Sequence, residues 1–550
     1  VGHNAISFDI PVVNRLLGTN IPTDRVVDTL VLSKLYDPKM LGGHSLEAWG
    51  VRLKLAKGDF HDFTQFSDDM LRYCRRDVEL GVLVFHRLSG RMAARGFSEK
   101  SCELEHRVRV IIDKQRTVGW YFDTDRAEQL AQKLRLEQER VGGRIRELFP
   151  PELHLVKSFE YRVKQDGTPY SSYLRHLEEW DKVDLKGKTY DVYSLREFNI
   201  GSPQQRVERL LSYGWKPEKK TKGGKPQADE ESIVAFAKAC GDERVGLIAD
   251  WLVLNGRSSM IETWLNNVSP DGRMRGYVDS CGAASRRMIH NSPNTANIPG
   301  NEARFGHECR ELWTVADTVR RCVVGYDAKS IQMRLFANLL PDVNNGRRYW
   351  DTDFCPDPHQ ENADLIGIPR KPTKNCFYAF IFGAMDPKLG ATAEGRDKAF
   401  GAFIRQKFYD VTPGLEQSIK DAEREFDRND GFLATPDGGF VRCPKRQAVL
   451  NYKIQPAEAV VMKMATVILD QEARHLDQFK IGDIHDEGQH ESDKDAIEAI
   501  EPGMERLPID VEPLGCQVCD DDSNDAGDCY AGDAGCVRAP GDCDQKEQPG

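Results

Sequence analysis

Apolar residues recur at helical spacing along most of this chain, and a few short apolar runs break that rhythm. VGHNAISFDIPVVNRLL begins polar and turns helical, with Ile10, Val13, Leu16 and Leu17 on one face. VVDTLVLSKLY is a second apolar segment, carrying Asp28, and in GGHSLEAWGVRL two glycines precede a short helix. MLRYCRRDVELGVLVFHRL predicts a long helix with Leu71, Val78, Leu80, Val82 and Leu83 as candidates for burial. LEHRVRVIIDKQRTVGWYFD predicts a helix ending at Gly119, and AEQLAQKLRLEQERVGGRIRELF an amphipathic one. Residues 150–200 show no sustained period and read as irregular, with several tyrosines. In FNIGSPQQRVERLLSYGW, Ser202 is placed to cap a helix.

The second half has sharper transitions. Cys322, Val323, Val324 and Tyr326 make an apolar strand with Asp327 at its end, and a helix from near Ser330 carries Ile331, Leu335 and Leu339. RKPTKNCFYAFIFGA is helical, with Pro372 suited to a first turn. KIGDIHDEGQHE reads as a strand running into a tight hairpin at His485, Asp486 and Glu487.

A chain of 550 residues should hold roughly three domains of about 150 residues each. A net charge of −11 announces no nucleic acid, although net charge does not report how charge is distributed. No apolar run has the length of a membrane span and no signal peptide is visible. Nine of the 14 cysteines are scattered singly through residues 1–443, as reduced thiols would be. The other five lie in the acidic, Gly-rich segment after Gly515. Cys516 and Cys519 there have a zinc-like spacing but no second pair, and a disordered tail is the plainer reading. The chain opens on Val1 inside what reads as a running motif, so the true N-terminus is expected upstream.

Several residues can carry chemistry. A carboxylate on a tight turn suits a metal ligand, and an exposed acidic turn is the bland alternative for His485-Asp486-Glu487. Arg370, Lys374 and Tyr378 at i, i+4 and i+8 lie along one helix face, drifting by about 40° per step. Two cations and then an aromatic could grip a triphosphate and stack on its base or sugar. Asp327 can be a ligand or a helix cap. Tyr73 and Asp77 share a helix face that can equally be a solvated one.

In combination these stretches resemble the motifs of family A, the DNA polymerase I-like enzymes, in their phage replicative form. HNAISFD and YCRRD, with SLEAWG between them, resemble the second and third exonuclease motifs. FNIGSPQQR resembles the thumb motif. CGAASRRMIHNSPNTANIP resembles the Thr-Gly-Arg…Pro-Asn segment, with Arg286 where glycine is usual. GYDAKSIQMR resembles polymerase motif A, RKPTKNCFYAFIFG motif B and HDE the metal hairpin, in preserved order.

The resemblance implies an α/β multidomain fold: a right-hand polymerase of palm, fingers and thumb, preceded by a ribonuclease H-like exonuclease domain. Its domains would be residues 1–100 (3′→5′ exonuclease), 101–280 (thumb and connecting helices), 281–500 (palm and fingers) and 501–550 (an atypical tail). It implies template-directed DNA synthesis with two Mg²⁺ ions held by Asp327, Asp486 and the Ala328 carbonyl. Lys374 would be general acid and Glu487 a supporting carboxylate. Arg370, Lys374, Tyr378, His359, Gln332 and Phe382 would meet the nucleotide. Arg287, Asn297, Asn451, Gln455, His485 and Arg206 would meet primer–template DNA. Asp9 and Asp77 would hold further divalent ions, with Tyr73 orienting a water, if the exonuclease site were complete. The family's first exonuclease motif, Asp-x-Glu, is absent, so that activity is expected to be crippled in the chain as given and present in the intact protein. No processivity-factor insert interrupts residues 230–265. The expected protein is a monomer, phage-encoded and acting in the host cytoplasm.

Two departures stand out. Gln332 occupies the place of the family's Glu, the residue that blocks a ribose 2′-hydroxyl, and Phe382 the place of the Tyr that bonds it. Both ends of one interaction have changed, so sugar selection is expected to rest on sterics with less polar support, and Tyr378 suggests tolerance of dideoxynucleotides. Two other functions compete: a DNA-binding 3′→5′ exonuclease, and a catalytically inactive DNA-binding protein.

Overall fold

The computed structural model describes residues 1–217, 223–328, 330–351, 353–393, 395–484 and 486–496, and the backbone of 511–514. The chain forms two compact units. The first comprises Val1–Phe122, Val268–Ile298 and the chain from Trp313 on; the second comprises Asp123–Asn267 and Pro299–Leu312. The segment 101–280, expected to be one domain, is thus shared between both units.

In the first unit, helix α1 (Asp68–Arg95) starts at a Ser67 cap and ends at Gly96 in the left-handed region. It buries Leu80, Val84, Leu88 and Met92, a strict i+4 stripe, against Leu32, Leu35 and Trp49. Val78, Val82 and Leu83, expected in the core, are exposed. Val78 and Val82 fall on the opposite side of the helix and Leu83 on the flank of the stripe, and a run of consecutive apolar residues cannot by itself say which side faces in. The Ile10–Leu17 helix likewise buries none of its residues. Helix α2 (Glu99–Val118) ends at Gly119 (φ 71°), as its sequence predicts.

Strand β1 (Arg321–Ala328) leads into helix α3 (Ile331–Asn338). Helix α4 (Arg370–Ile381) buries Thr373, Cys376, Phe377, Phe380 and Ile381, so its period turns Arg370 and Lys374 outward. Helix α5 (Val449–Glu472) is largely buried and contains Pro456, which cannot donate the bond that the Tyr452 carbonyl would accept. Strands β2 (Gln478–Ile484), β3 (Glu487–Asp493) and β4 (Val511–Leu514) join β1 in one sheet of order β2–β3–β1–β4.

Alternation along β1 sends Cys322, Val324, Tyr326 and Ala328 toward α5, where they pack with Met462, Ala465 and Leu469. Asp327 therefore belongs to the other face. The β1–β3 register pairs Asp327 with Glu487 and Tyr326 with Gly488. Directly paired residues share a face. Gly488 thus lies inside β3 and not in the turn. A Cβ there would overlap the Tyr326 ring, which explains glycine at that position.

The second unit packs the long helices Thr124–Leu148 and Glu243–Leu265. It also holds the clearest surprise. Residues 150–200 are not irregular but form a three-stranded antiparallel sheet, Glu152–Glu160, Thr189–Arg196 and Lys182–Lys186, with the helix Ser171–Glu179. A bulge between Leu155 and Lys157 shifts the phase of alternation halfway along the first strand. The other hairpin turns on Gly187 and Lys188, with Gly187 at φ 61°.

Candidate active site

The β1 end, the β2–β3 hairpin, α4 and α5 assemble one polar site. Asp327 is the penultimate residue of β1, and Asp486 stands in the link between β2 and β3. The Ala328 amide donates to the Asp486 carbonyl at 3.0 Å, so both aspartates sit at the same end of adjacent strands. Both side chains are half-buried, and Glu487 is the register partner of Asp327. His485 lies outside the described residues.

This donor set is all oxygen: two carboxylates and a neighbouring backbone carbonyl. Such a set suits a hard divalent cation such as Mg²⁺, which keeps several waters and is held by one or two carboxylates together with substrate phosphates. Among the described residues no group of three His, Cys, Asp or Glu side chains converges as a closed metal cage. Two carboxylates and one carbonyl at the strand ends suit an ion that takes its remaining ligands from water and substrate.

Helix α4 presents its cations outward. Lys374 is exposed, and the Arg370 Nε donates to Asp357 at 2.6 Å. His359 is buried beside them, with its ring 5.6 Å from that of Tyr378. Burial, then Lys374 and Arg370, push the His359 imidazole down to about 4, so it is neutral at pH 7. Tyr378 is half-buried. Burial raises its phenol, and the charges of Asp486 and Glu458 add to the effect, so the α4 aromatic feels both the hairpin and α5. Phe382 lies 6.2 Å from Tyr378, centroid to centroid.

On α5, Asn451 and Gln455 are half-buried one turn apart, and the Asn451 Oδ1 is buried without a protein partner. Three residues further on is Glu458, only 1% exposed, which the sequence reading passed over. Its carboxylate takes a guanidinium N–H from Arg287 and the side-chain amide of Gln332, the latter at 2.9 Å. Burial raises the Glu458 carboxyl, Arg287 opposes that, and Asp486 adds to it. Glu458 is detectable in sequence only as an i+3 neighbour of Gln455 on the same helix face.

A second unforeseen group lies just behind. Arg286, at φ 64° and fully buried, is gripped by Asp437 at 2.8 Å and bonds Thr435 at 2.9 Å. Glu105 on α2 lies 3.9 Å from it and pairs with Lys463 of α5 at 2.6 Å. Burial works against the charge on Arg286, yet Asp437 holds it above its ordinary value. Burial would raise Asp437, and Arg286 holds it well below the carboxylate range. The left-handed backbone explains glycine in the family pattern; here an ion pair offsets the cost of a side chain.

The remaining expected residues are more scattered. Asn297 is exposed. In the second unit Ser202 caps the helix Pro203–Ser212, and Arg206 turns back to donate to the Ile200 carbonyl at 2.6 Å. Asp9 is exposed at the start of the Ile10–Leu17 helix. Asp77 lies 3.6 Å from the Lys57 ammonium, which also sits 5.2 Å from the Tyr73 ring. Lys57 was not anticipated; it occupies the anionic side of the Tyr73–Asp77 pair.

Comparison with known proteins bears on the whole arrangement. A family model described as DNA polymerase family A matches residues 173–510. The DNA-directed DNA polymerase of Escherichia phage T7 is 24% identical over 570 residues, covering 84% of this chain and 81% of that protein. DNA polymerase I of Treponema pallidum is 21% identical, covering 88% of this chain and 46% of that one. Among solved structures, the POL domain of Pol1 from M. smegmatis, in complex with DNA primer-template and dNTP, matches with a TM-score of 0.68. Its identity is 18%, over 88% of this chain and 81% of that chain.

Proposed function

The chain belongs to DNA polymerase family A and is a DNA-directed DNA polymerase, and from that premise we propose how its residues divide the reaction. Asp327 and Asp486, with the Ala328 carbonyl, hold divalent cations; Mg²⁺ is the ion this donor set suits. When bound, such ions acidify the primer 3′-hydroxyl and neutralise charge on pyrophosphate.

The chain's own side chains do the rest. Arg370 and Lys374 face solvent on α4 and attract the triphosphate tail, and Lys374 donates a proton as pyrophosphate departs. His359, neutral and buried beside them, donates one ring N–H to a phosphate oxygen. Tyr378 stacks against the nucleotide, with Phe382 behind it. Gln332 bounds the sugar. Asn451 and Gln455 line the nascent pair, while Arg287, Asn297, His485 and Arg206 serve the primer–template. Glu487 supports Asp327 from the paired strand. The single observation that carries this reading is the strand-end adjacency of Asp327 and Asp486.

The domain reading follows the family: exonuclease-like residues 1–100, thumb and connecting helices 101–280, palm and fingers 281–500. The same reading has the protein acting as a monomer in a host cytoplasm on behalf of a phage. No helix among the described residues is long and apolar enough to cross a membrane. For residues 1–100 we read a 3′→5′ exonuclease-like region, with Asp9, Asp77 and Tyr73 as its candidate site residues. A primer-extension assay with Mg²⁺ and all four dNTPs tests the whole. Lengthening of the primer supports synthesis. Shortening alone would make the chain a nuclease, and binding with neither would make it an inactive DNA-binding protein.

A further inference from the structure

We propose that Glu458 is a specificity-determining residue of the nucleotide site: from α5 it fixes the Gln332 amide beside Asp327, so that the wall facing an incoming sugar is held by a carboxylate from a different helix. The proposal rests on the polymerase-site reading above and deepens it.

The geometry is specific. Gln332 lies five residues after Asp327, on the first turn of α3. Its Nε2 donates to the Glu458 Oε2 at 2.9 Å. Arg287 donates to both oxygens of the same carboxylate. Three segments far apart in the chain therefore meet on one buried charge. Glu458 shares its helix face with Gln455 and Asn451, about one and two turns earlier, so it belongs to the surface that α5 turns toward the site.

A buried carboxylate is costly unless it is paired and hydrogen-bonded. Here Arg287 supplies the charge, and Gln332 supplies the additional bond. A glutamine left alone would keep its rotamer freedom and yield to a larger sugar. Charge-assisted bonds are stronger than neutral ones, and this one holds the amide in a single orientation. The resemblance to polymerase motif A gives the complementary half. Position 332 is neutral where the family pattern has a carboxylate, and the negative charge arrives instead from position 458. On this proposal, polar support at this wall is relocated from position 332 to position 458.

The test is single-nucleotide insertion of a dNTP and the matching rNTP on one primer–template, by wild type, Glu458→Gln, Glu458→Ala, Gln332→Ala and the Gln332→Ala/Glu458→Ala double variant. Glu458→Ala should lower the deoxy-over-ribo ratio of kcat/KM by about 10- to 100-fold, the range expected for one charge-assisted bond. Glu458→Gln keeps an acceptor but loses the charge, and should fall between wild type and Glu458→Ala. The double variant should equal Gln332→Ala, because Glu458 acts through Gln332. An unmoved ratio in Glu458→Ala, or two effects that simply multiply, would overturn the proposal. If Glu458→Ala does not fold, Gln332→Leu must reproduce the loss and Glu458→Gln must add nothing to it; any other result overturns the proposal too. No insertion by wild type, or insertion that survives Asp486→Asn, would overturn the polymerase-site reading itself.

Discussion

Gln332 and Glu458, 126 positions apart, meet through an amide-to-carboxylate hydrogen bond of 2.9 Å. That contact makes the neutrality of position 332 intelligible. Gln332→Glu, which restores the family residue, would set two carboxylates face to face in a buried site. It should destabilise the protein by about 1–3 kcal/mol, the range for a buried polar group left without its partner. Thermal unfolding checks this, and adding Glu458→Gln should recover most of the loss.

Arg286 should show the opposite balance between backbone and side chain. Arg286→Gly relieves a left-handed residue but leaves Asp437 buried without its guanidinium. Breaking a buried pair on one side costs about 3–5 kcal/mol, more than the roughly 1–2 kcal/mol of left-handed strain released. Denaturant unfolding should therefore show a net loss for Arg286→Gly and a larger one for Arg286→Ala.

Much of this site could be read before the structure. Asp327 at a strand end and the outward face of α4 follow from local alternation and a 3.6 period. On α1 Leu80 is buried as expected, while the rest of its assigned stripe and the unrecognised sheet at 150–200 fail for related reasons. Val78, Val82 and Leu83 are apolar neighbours of the true stripe, and the bulge at Leu155 breaks the strand pattern midway. The Glu458 and Arg286 networks could not be read, because each joins segments more than a hundred residues apart. The local clues were an arginine in a place that favours glycine and a glutamate three residues after Gln455.

His359 gives a pH signature. Its folded pKa, about 4, lies below the ordinary imidazole value of 6.5, so the unfolded chain binds more protons between those values. Its contribution to stability is complete above about pH 6.5 and is lost as pH falls toward 4. Against wild type, His359→Gln should flatten the slope of unfolding free energy over that window. His490 is shifted the same way, so some slope should persist in the variant. An unchanged slope would contradict a buried, neutral His359.

Gly488 tests the register that aligns the two aspartates. Gly488→Ala would drive a methyl group into the Tyr326 ring and force β1 and β3 apart. Overpacking of this kind costs about 1–3 kcal/mol. The more telling readout is primer extension, which should fall by more than the loss of folded protein explains, because Asp327 and Glu487 are the next pair in the register.

The most direct test of the central claim is single-turnover nucleotide insertion by Asp327→Asn and Asp486→Asn, with Mg²⁺ and a matched dNTP. Each change keeps shape and removes a ligand charge. Each should lower the insertion rate by about a thousandfold, roughly 4 kcal/mol of barrier, while primer–template binding stays within about threefold of wild type. Insertion by either variant within about tenfold of wild type would mean that the two strand-end aspartates do not form the catalytic centre.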